Sequence, residues 1–219
     1  VNLIHNNYML VSVIIPYYKN QFYIKKTINS VLKQSYQKFE IIIVNDEPGK
    51  LSKNILSFLK KKDKRIKIIH NLKNIGAGRS RNKAIKYAKG TYIAFIDSDD
   101  LWKKNKLKTQ INIMKKFDYN ISHTAYYIID QNDNKLALRK SKNLNLKNLK
   151  NSCDVGLSTV IVKKRILKKD RLFANFKTKE DYFLWLKIAN NGEIFHYINY
   201  PLSYWRKTQN SLSSSVVQK

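Results

Sequence analysis

The chain has 219 residues, enough for one generous domain or two cramped ones, and 43% hydrophobic content supports a core and excludes wholesale disorder. Lys and Arg total 43 against 15 Asp and Glu, and the formal net charge of +28 asks for an anionic lipid surface, a nucleic acid or a phosphorylated substrate. A single cysteine, Cys153, excludes an internal disulfide framework and a cysteine-built zinc site, and it points to a reduced compartment.

No apolar run approaches the roughly 18–20 residues that a membrane span needs. Residues 1–10 lack the basic start and long apolar stretch of a secretory signal. The cytoplasm is therefore the default compartment, and the residues before Met9 read as an extension. Residues 10–16 form an apolar, β-branched run that predicts a buried strand. Ile24, Ile28, Val31 and Leu32 recur at helical spacing. Phe39–Asn45 predicts a second strand, and Leu51, Ile55, Phe58 and Leu59 mark a helix ending in the basic run 60–62. Residues 65–70 predict a third strand, 77–89 a helix stopped by Gly90, and 92–96 a fourth strand. Beyond it the spacing predicts a helix over 101–117, a strand over 119–130, and a turn at 132–134 into a strand over 135–138. A mobile basic loop is expected over 139–154, then a strand over 157–162 and an amphipathic helix at Glu180–Asn190. Strands near 194–199 and 202–205 and a frayed serine-rich tail at 211–215 complete the reading, with no internal repeat.

Strands alternating with helices at this spacing predict an α/β fold around a parallel sheet, and such sheets bind ligands at the carboxyl ends of their strands. Three polar clusters fall there: residues 17–19, 45–47 and 97–100. They indicate a nucleotide-type site, set against the plainer reading of solvated loops. Asp97-Ser98-Asp99-Asp100 packs carboxylates that repel one another unless a cation neutralises them. Mg²⁺ or Mn²⁺ takes one or two carboxylates and completes its shell with water and phosphates. The competing reading is a capping turn for the next helix. Glu180-Asp181 opens a helix with much apolar surface, where a carboxylate acquires the raised pKa of a general base. Two acids at a helix N-terminus also serve the macrodipole alone. Residues 76–82, Gly-Ala-Gly-Arg-Ser-Arg-Asn, suit contact with an anion, yet they match neither a Walker A nor a dinucleotide fingerprint.

Val11-Ser-Val-Ile-Ile-Pro16-Tyr-Tyr18, Glu40-Ile-Ile-Ile-Val-Asn-Asp46, the run from Gly90 through Asp97-Ser-Asp99-Asp to Trp102, and Glu180-Asp181-Tyr-Phe-Leu-Trp185 stand in order. In that order they resemble the family 2 glycosyltransferases over nearly the whole chain, about residues 10–215. The resemblance implies a single GT-A domain over 1–219, a mostly parallel sheet flanked by helices. Its nucleotide-sugar half is 1–100 and its smaller acceptor-side half 101–219. It also implies a nucleotide-diphospho-sugar donor, a UDP-sugar first among them, a divalent cation (Mn²⁺ or Mg²⁺), and inversion at the anomeric carbon. The acceptor would be a glycan or lipid-linked hydroxyl in cell-surface polysaccharide or glycolipid synthesis.

By the same resemblance, Tyr18 stacks on the donor base, Pro16 shapes that strand end, Asp46 contacts the base and Arg81 stands behind the nucleotide. Asp97 meets ribose or metal, Asp99 is the metal ligand, Asp181 is the catalytic base, and Glu180 and Trp185 lie on the acceptor side. The sequence departs from the family at Glu47-Pro48 after Asp46, and at Thr208, where a histidine often follows the arginine that Arg206 matches. Ser211 and Ser213 match the closing serines. A donor-binding or partner-dependent transferase without turnover is the alternative, motivated by Thr208. A basic nucleic-acid-binding protein is a further one, although no nucleic-acid motif is present and no nucleic-acid partner is expected. The positive charge suits peripheral association with an anionic membrane surface, through residues 139–150 and 163–171.

Overall fold

Strands β1 (Val11–Tyr17) and β2 (Phe39–Asn45) are buried at every position. That explains why they read as continuous apolar runs rather than as alternating ones: both sheet faces are covered by helices. The computed structural model describes residues 9–169 and 172–208, so the expectations for residues 1–8, Ser211 and Ser213 lie outside the described residues. Beside β1 and β2 lie β3 (Ile66–His70) and β4 (Tyr92–Phe95), all four parallel in the order β3-β2-β1-β4. Crossovers run through α1 (Ile24–Leu32), α2 (Lys50–Lys62) and α3 (Ala77–Tyr87). On one face Val13, Ile15, Ile41 and Ile43 cluster with Ile28 of α1, Leu56 of α2 and Ile111 of α4 (Lys106–Lys116). On the other, Ile14, Ile42 and Val44 cluster with Ala84 of α3 and with Leu184 and Trp185 of α6 (Glu180–Asn190). Pro16 suits its place: Ile96 donates its N–H to the Ile14 carbonyl, the β1–β4 ladder ends there, and the proline two residues on needs no donor.

The far half of the sheet is mixed. Strand β8 (Ile161–Lys163) runs antiparallel to β4, β6 (Ile121–Ile129) antiparallel to β8, and β9 (His196–Arg206) parallel to β6. Short β5 (Leu101–Trp102) closes on β9, and β7 (Lys135–Arg139) makes a hairpin with β6. Among the described residues no helix is long and apolar enough to cross a membrane.

Several expectations are corrected here. The helix expected over 101–117 begins only at Lys106, because Leu101 and Trp102 pair with Tyr204 and Ser203. The expected loop over 139–154 contains α5 (Leu146–Asn151), started by a capping box between Asn145 and Asn148. Residues 157–159 form a 3₁₀ turn before β8. The two strands expected near the C-terminus are one, and β9 passes Pro201 with a register shift against β6 instead of turning. Gly90 is not the helix stop, since α3 ends at Tyr87. A Cβ there would lie 2.6 Å from the Ser12 amide nitrogen, so this glycine admits close approach to β1.

Candidate active site

The carboxyl ends of β1, β2 and β4 bring the three polar clusters to one edge of the sheet. Tyr18 stands just past β1 with 45% of its surface exposed and the Lys19 ammonium 5.3 Å from its ring centroid, so an aromatic face is open to a ligand. Asp46 follows β2 and is 2% exposed. Its carboxylate accepts from Asn71 Nδ2 (2.8 Å) and from the backbone N–H groups of Ile75 (2.9 Å) and Gly76 (2.8 Å). In the free protein it therefore shapes the loop leading into α3, where Gly76 turns at φ +87°.

The acids after β4 divide into distinct roles. Asp100 is buried, accepting from Ser158 Oγ (2.5 Å) and from the Arg206 backbone N–H (2.9 Å). Burial and the neighbouring Asp99 and Asp97 push its pKa well above the ordinary carboxylate range. Ser158 Oγ also accepts from the Asp97 N–H, so one hydroxyl holds both ends of the tetrapeptide. Asp97 Oδ1 accepts from Arg81, and the Asp99 carboxyl lies near Asp97 and accepts from the Asn20 side chain. Burial, then repulsion from Asp97, pushes Asp99 up to about 6.

Arg81 joins this cluster to helix α6. Its guanidinium, 4% exposed, pairs with Asp97 Oδ1 and Glu180 Oε1, both at 2.6 Å. The approach that permits this bridge is set by Gly78, where a Cβ would sit 2.9 Å from the Ala174 carbonyl oxygen and 3.1 Å from Glu180 Cγ. Asn82 fastens the same loop by exchanging hydrogen bonds with the Phe173 backbone at 2.8 and 3.0 Å. The segment 76–82 thus docks α3 against residues 173–174 and α6, and its buried Arg81 serves carboxylates of the protein. Asp181, next to Glu180, makes no ion pair among the described residues. Burial, then the Glu180 charge, raises its pKa, while its Oδ1 accepts from the Tyr182 N–H at 2.8 Å.

A second arginine was missed by sequence reasoning as a site residue. Arg206 at the end of β9 is 1% exposed, and its Nε donates to the Asp99 carbonyl at 2.8 Å. Its Nη1 donates to the Asp130 carbonyl at 2.8 Å, its Nη2 pairs with Asp133 at 2.5 Å, and the Tyr23 ring lies 4.5 Å away. The family resemblance matches Arg206 to an arginine without giving it a role, and the basic residue closing an apolar strand is its signal in the residues themselves.

Tyr18, Asp46, Arg81, Asp97, Asp99, Glu180 and Asp181 all gather around this edge, with Pro16 in the strand beneath. Trp185 does not. It is fully buried and packs against Phe95, Phe173 and Phe195 at centroid distances of 5.4–6.4 Å, which corrects the acceptor-side expectation. Among the described residues no three His, Cys, Asp or Glu side chains form a metal cage. The donor set nonetheless suits a hard cation that keeps water and phosphate ligands: Asp99 is desolvated, crowded by Asp97, and has no ion-pair partner among the described residues.

A mixed sheet covered by helices, with acids at the end of its fourth strand bridged to an acid pair on a facing helix, defines a GT-A-type glycosyltransferase. The chain belongs to glycosyl transferase family 2, whose family model matches residues 12–173. It is 36% identical, over 94% of its length and 80% of the relative's, to the UDP-Glc:alpha-D-GlcNAc-diphosphoundecaprenol beta-1,3-glucosyltransferase WfgD of Escherichia coli. It is 34% identical to the putative teichuronic acid biosynthesis glycosyltransferase TuaG of Bacillus subtilis, over 94% of this chain and 82% of that one. Among solved structures, S. aureus TarS in complex with UDP-GlcNAc matches with a TM-score of 0.77 and 25% identity, covering 94% of this chain and 61% of the TarS chain.

Proposed function

We propose that this transferase moves a sugar from a UDP-sugar to a hydroxyl of a glycan or lipid-linked acceptor in surface-polysaccharide synthesis. Configuration inverts, a divalent cation assists, and the enzyme works at the inner face of the cytoplasmic membrane. The observation that carries the reading is the Arg81 bridge. It ties Asp97 on the donor side to Glu180 at 2.6 Å each and so fixes Asp181 relative to the acids after β4. The UDP donor and the lipid-linked acceptor are favoured by the names of WfgD and the TarS complex.

In this reading Tyr18 stacks on the base, and Asp46 holds the loop that borders the nucleotide. Asp97 meets ribose or cation, and Asp99 supplies the carboxylate that holds Mn²⁺ or Mg²⁺. The cation, when bound, neutralises charge growing on the leaving diphosphate. Asp181 accepts the proton of the acceptor hydroxyl as that oxygen bonds to the anomeric carbon and the bond to diphosphate breaks. Attack from the face opposite the diphosphate inverts the centre, through an oxocarbenium-like transition state. Arg81 engages Glu180 and leaves Asp181 as the acid of that pair without an ion pair among the described residues, and its raised pKa suits a base.

The test is a thermal-shift titration with uridine, guanosine, cytidine and thymidine diphosphates, with and without Mn²⁺, on wild type and Asp99→Ala. At about 100 times Kd a ligand adds about 2.7 kcal/mol, a rise of several degrees. A Mn²⁺-dependent shift with UDP that Asp99→Ala abolishes is expected. No shift with any nucleotide would overturn the reading.

A further inference from the structure

Two residues past Asp181, helix α6 leaves Phe183 37% exposed, edge-on to Phe176, which is 50% exposed, with ring centroids 5.1 Å apart. Cations surround this pair. Lys187 Nζ lies 4.9 Å from the Phe183 ring, and Lys177 and Lys179 follow Phe176 in the chain. None of the three lysines makes an ion pair among the described residues. Helix α5 packs on α6 through the bond from Tyr182 Oη to the Leu149 carbonyl (2.7 Å) and carries the exposed Lys147 and Lys150. Across the mouth of the sheet, Phe22 after β1 and Leu72 after β3 are 79% and 98% exposed. The end of the sheet that carries the catalytic acids is thus rimmed by exposed apolar side chains as well as by positive charge.

An acidic peptide would engage the lysines and leave the phenyl rings in water. An anionic bilayer satisfies both: rings enter the boundary between headgroups and acyl chains, and ammonium groups meet the lipid phosphates. Resting on the transferase reading above, we propose that the outer face at the start of α6, turned away from the buried face that Asp181 shares with Trp185, docks on an anionic lipid surface through Phe176 and Phe183, flanked by Lys177, Lys179 and Lys187. A hydroxyl carried on a lipid diphosphate then reaches Asp181 without leaving that surface.

The test is co-sedimentation of the full chain with phosphatidylcholine vesicles, with and without about one-third phosphatidylglycerol. Each variant is checked for folding by its UDP-dependent thermal shift. Wild type is expected to sediment only with anionic vesicles. At about 1 kcal/mol per lysine, Lys177→Gln with Lys179→Gln lowers the partition coefficient about 30-fold, and Phe176→Ser with Phe183→Ser lowers it at least about tenfold. Lys60→Gln, Lys61→Gln and Lys62→Gln together, at the end of α2 remote from the site, leave it unchanged. Equal sedimentation with neutral and anionic vesicles overturns the proposal, as does an equal loss in the α2 variant or no loss in the phenylalanine variant. Retention on single-stranded oligonucleotide in preference to vesicles, lost with the two rings, assigns the face to base stacking and also overturns it. A wild type that binds anionic vesicles but shows no nucleotide-dependent shift overturns the transferase reading instead.

Discussion

Two buried arginines flank the acid cluster, and they work differently. Arg81, on α3, meets side-chain charge: Asp97 on one branch and Glu180 on the other. Arg206, at the end of β9, mainly meets main chain, donating to the carbonyls of Asp99 and Asp130, with Asp133 as its one carboxylate. The first sets the electrostatics between the acids after β4 and those that open α6. The second sets the path of the backbone that presents Asp99. A buried charge bonded to carbonyls anchors shape, and one bonded to carboxylates tunes charge; this site contains one of each.

The largest effect is expected from breaking the second. Arg206→Ala leaves the Asp99 and Asp130 carbonyls without their guanidinium donor and Asp133, among the described residues, with Lys26 alone, a loss of about 3–5 kcal/mol at about 1–3 kcal/mol per buried acceptor left unpaired and on the order of 10 °C in Tm, measured by urea and thermal unfolding. Arg206→Lys recovers little of it, because one ammonium cannot span acceptors arranged around a planar fork. Arg81→Met costs less, about 1–3 kcal/mol, since it strips its donors from side chains alone: the freed Asp97, 34% exposed at its side chain, reaches water, and Glu180, 12% exposed, is left as the buried acceptor without its donor. Its kcat/KM nevertheless falls by about 100-fold or more, as the acids it aligns move apart. Equal stability losses in the two variants would erase the distinction.

Asp181→Asn is the next test. It lowers kcat by roughly 10²–10⁴ with donor binding intact, read by single-turnover transfer and by the UDP thermal shift. Burial, then Glu180, raises the Asp181 pKa, so wild-type kcat climbs with pH through a value above that of an ordinary aspartate. The stability effect has the opposite sign. A carboxyl whose folded pKa is raised favours the fold in its protonated form, below the unfolded value, and that contribution is lost as pH rises through the folded value. Asp181→Asn is therefore more stable than wild type at neutral and alkaline pH. The gap closes as the pH falls into the ordinary carboxylate range, and a gap that widens on acidification would contradict the assignment.

The same contrast explains what the sequence made legible. Strands β1, β2 and β4 are buried on both faces, so their unbroken apolar runs identify them, and the polar clusters at their ends mark the site. Asp97, Asp99 and Asp181 were legible because their chemistry lies in the side chain. The role of Arg206 was not, because its partners are mainly carbonyls, which every residue carries. In β6 the buried Ser122, His123 and Thr124 break the apolar pattern, and His123 is kept inside by a bond between its Nε2 and the Lys142 carbonyl at 3.1 Å. Trp185 stands one helical turn beyond Asp181, so the sequence assigns both to one side of the site. That turn carries the indole from the mouth of the sheet into the core.

The smallest effect tests how the β6–β7 hairpin is held beside the site. Asp133, at φ +72° in the hairpin turn, pairs with Lys26 of α1 at 2.6 Å and with Arg206 at 2.5 Å. The Lys26 side chain is 52% exposed, whereas that of Arg206 is fully buried. Solvent screening limits Lys26→Ala to about 0–1 kcal/mol, and high salt removes the difference. Asp133→Asn costs more and resists salt, because it takes the carboxylate that, among the described residues, pairs with the buried Arg206 guanidinium. Chemical unfolding of both variants at low and high ionic strength separates the two contacts. Equal, salt-sensitive losses would place the hairpin's anchor on α1 and leave Arg206 to hold the acid loop alone.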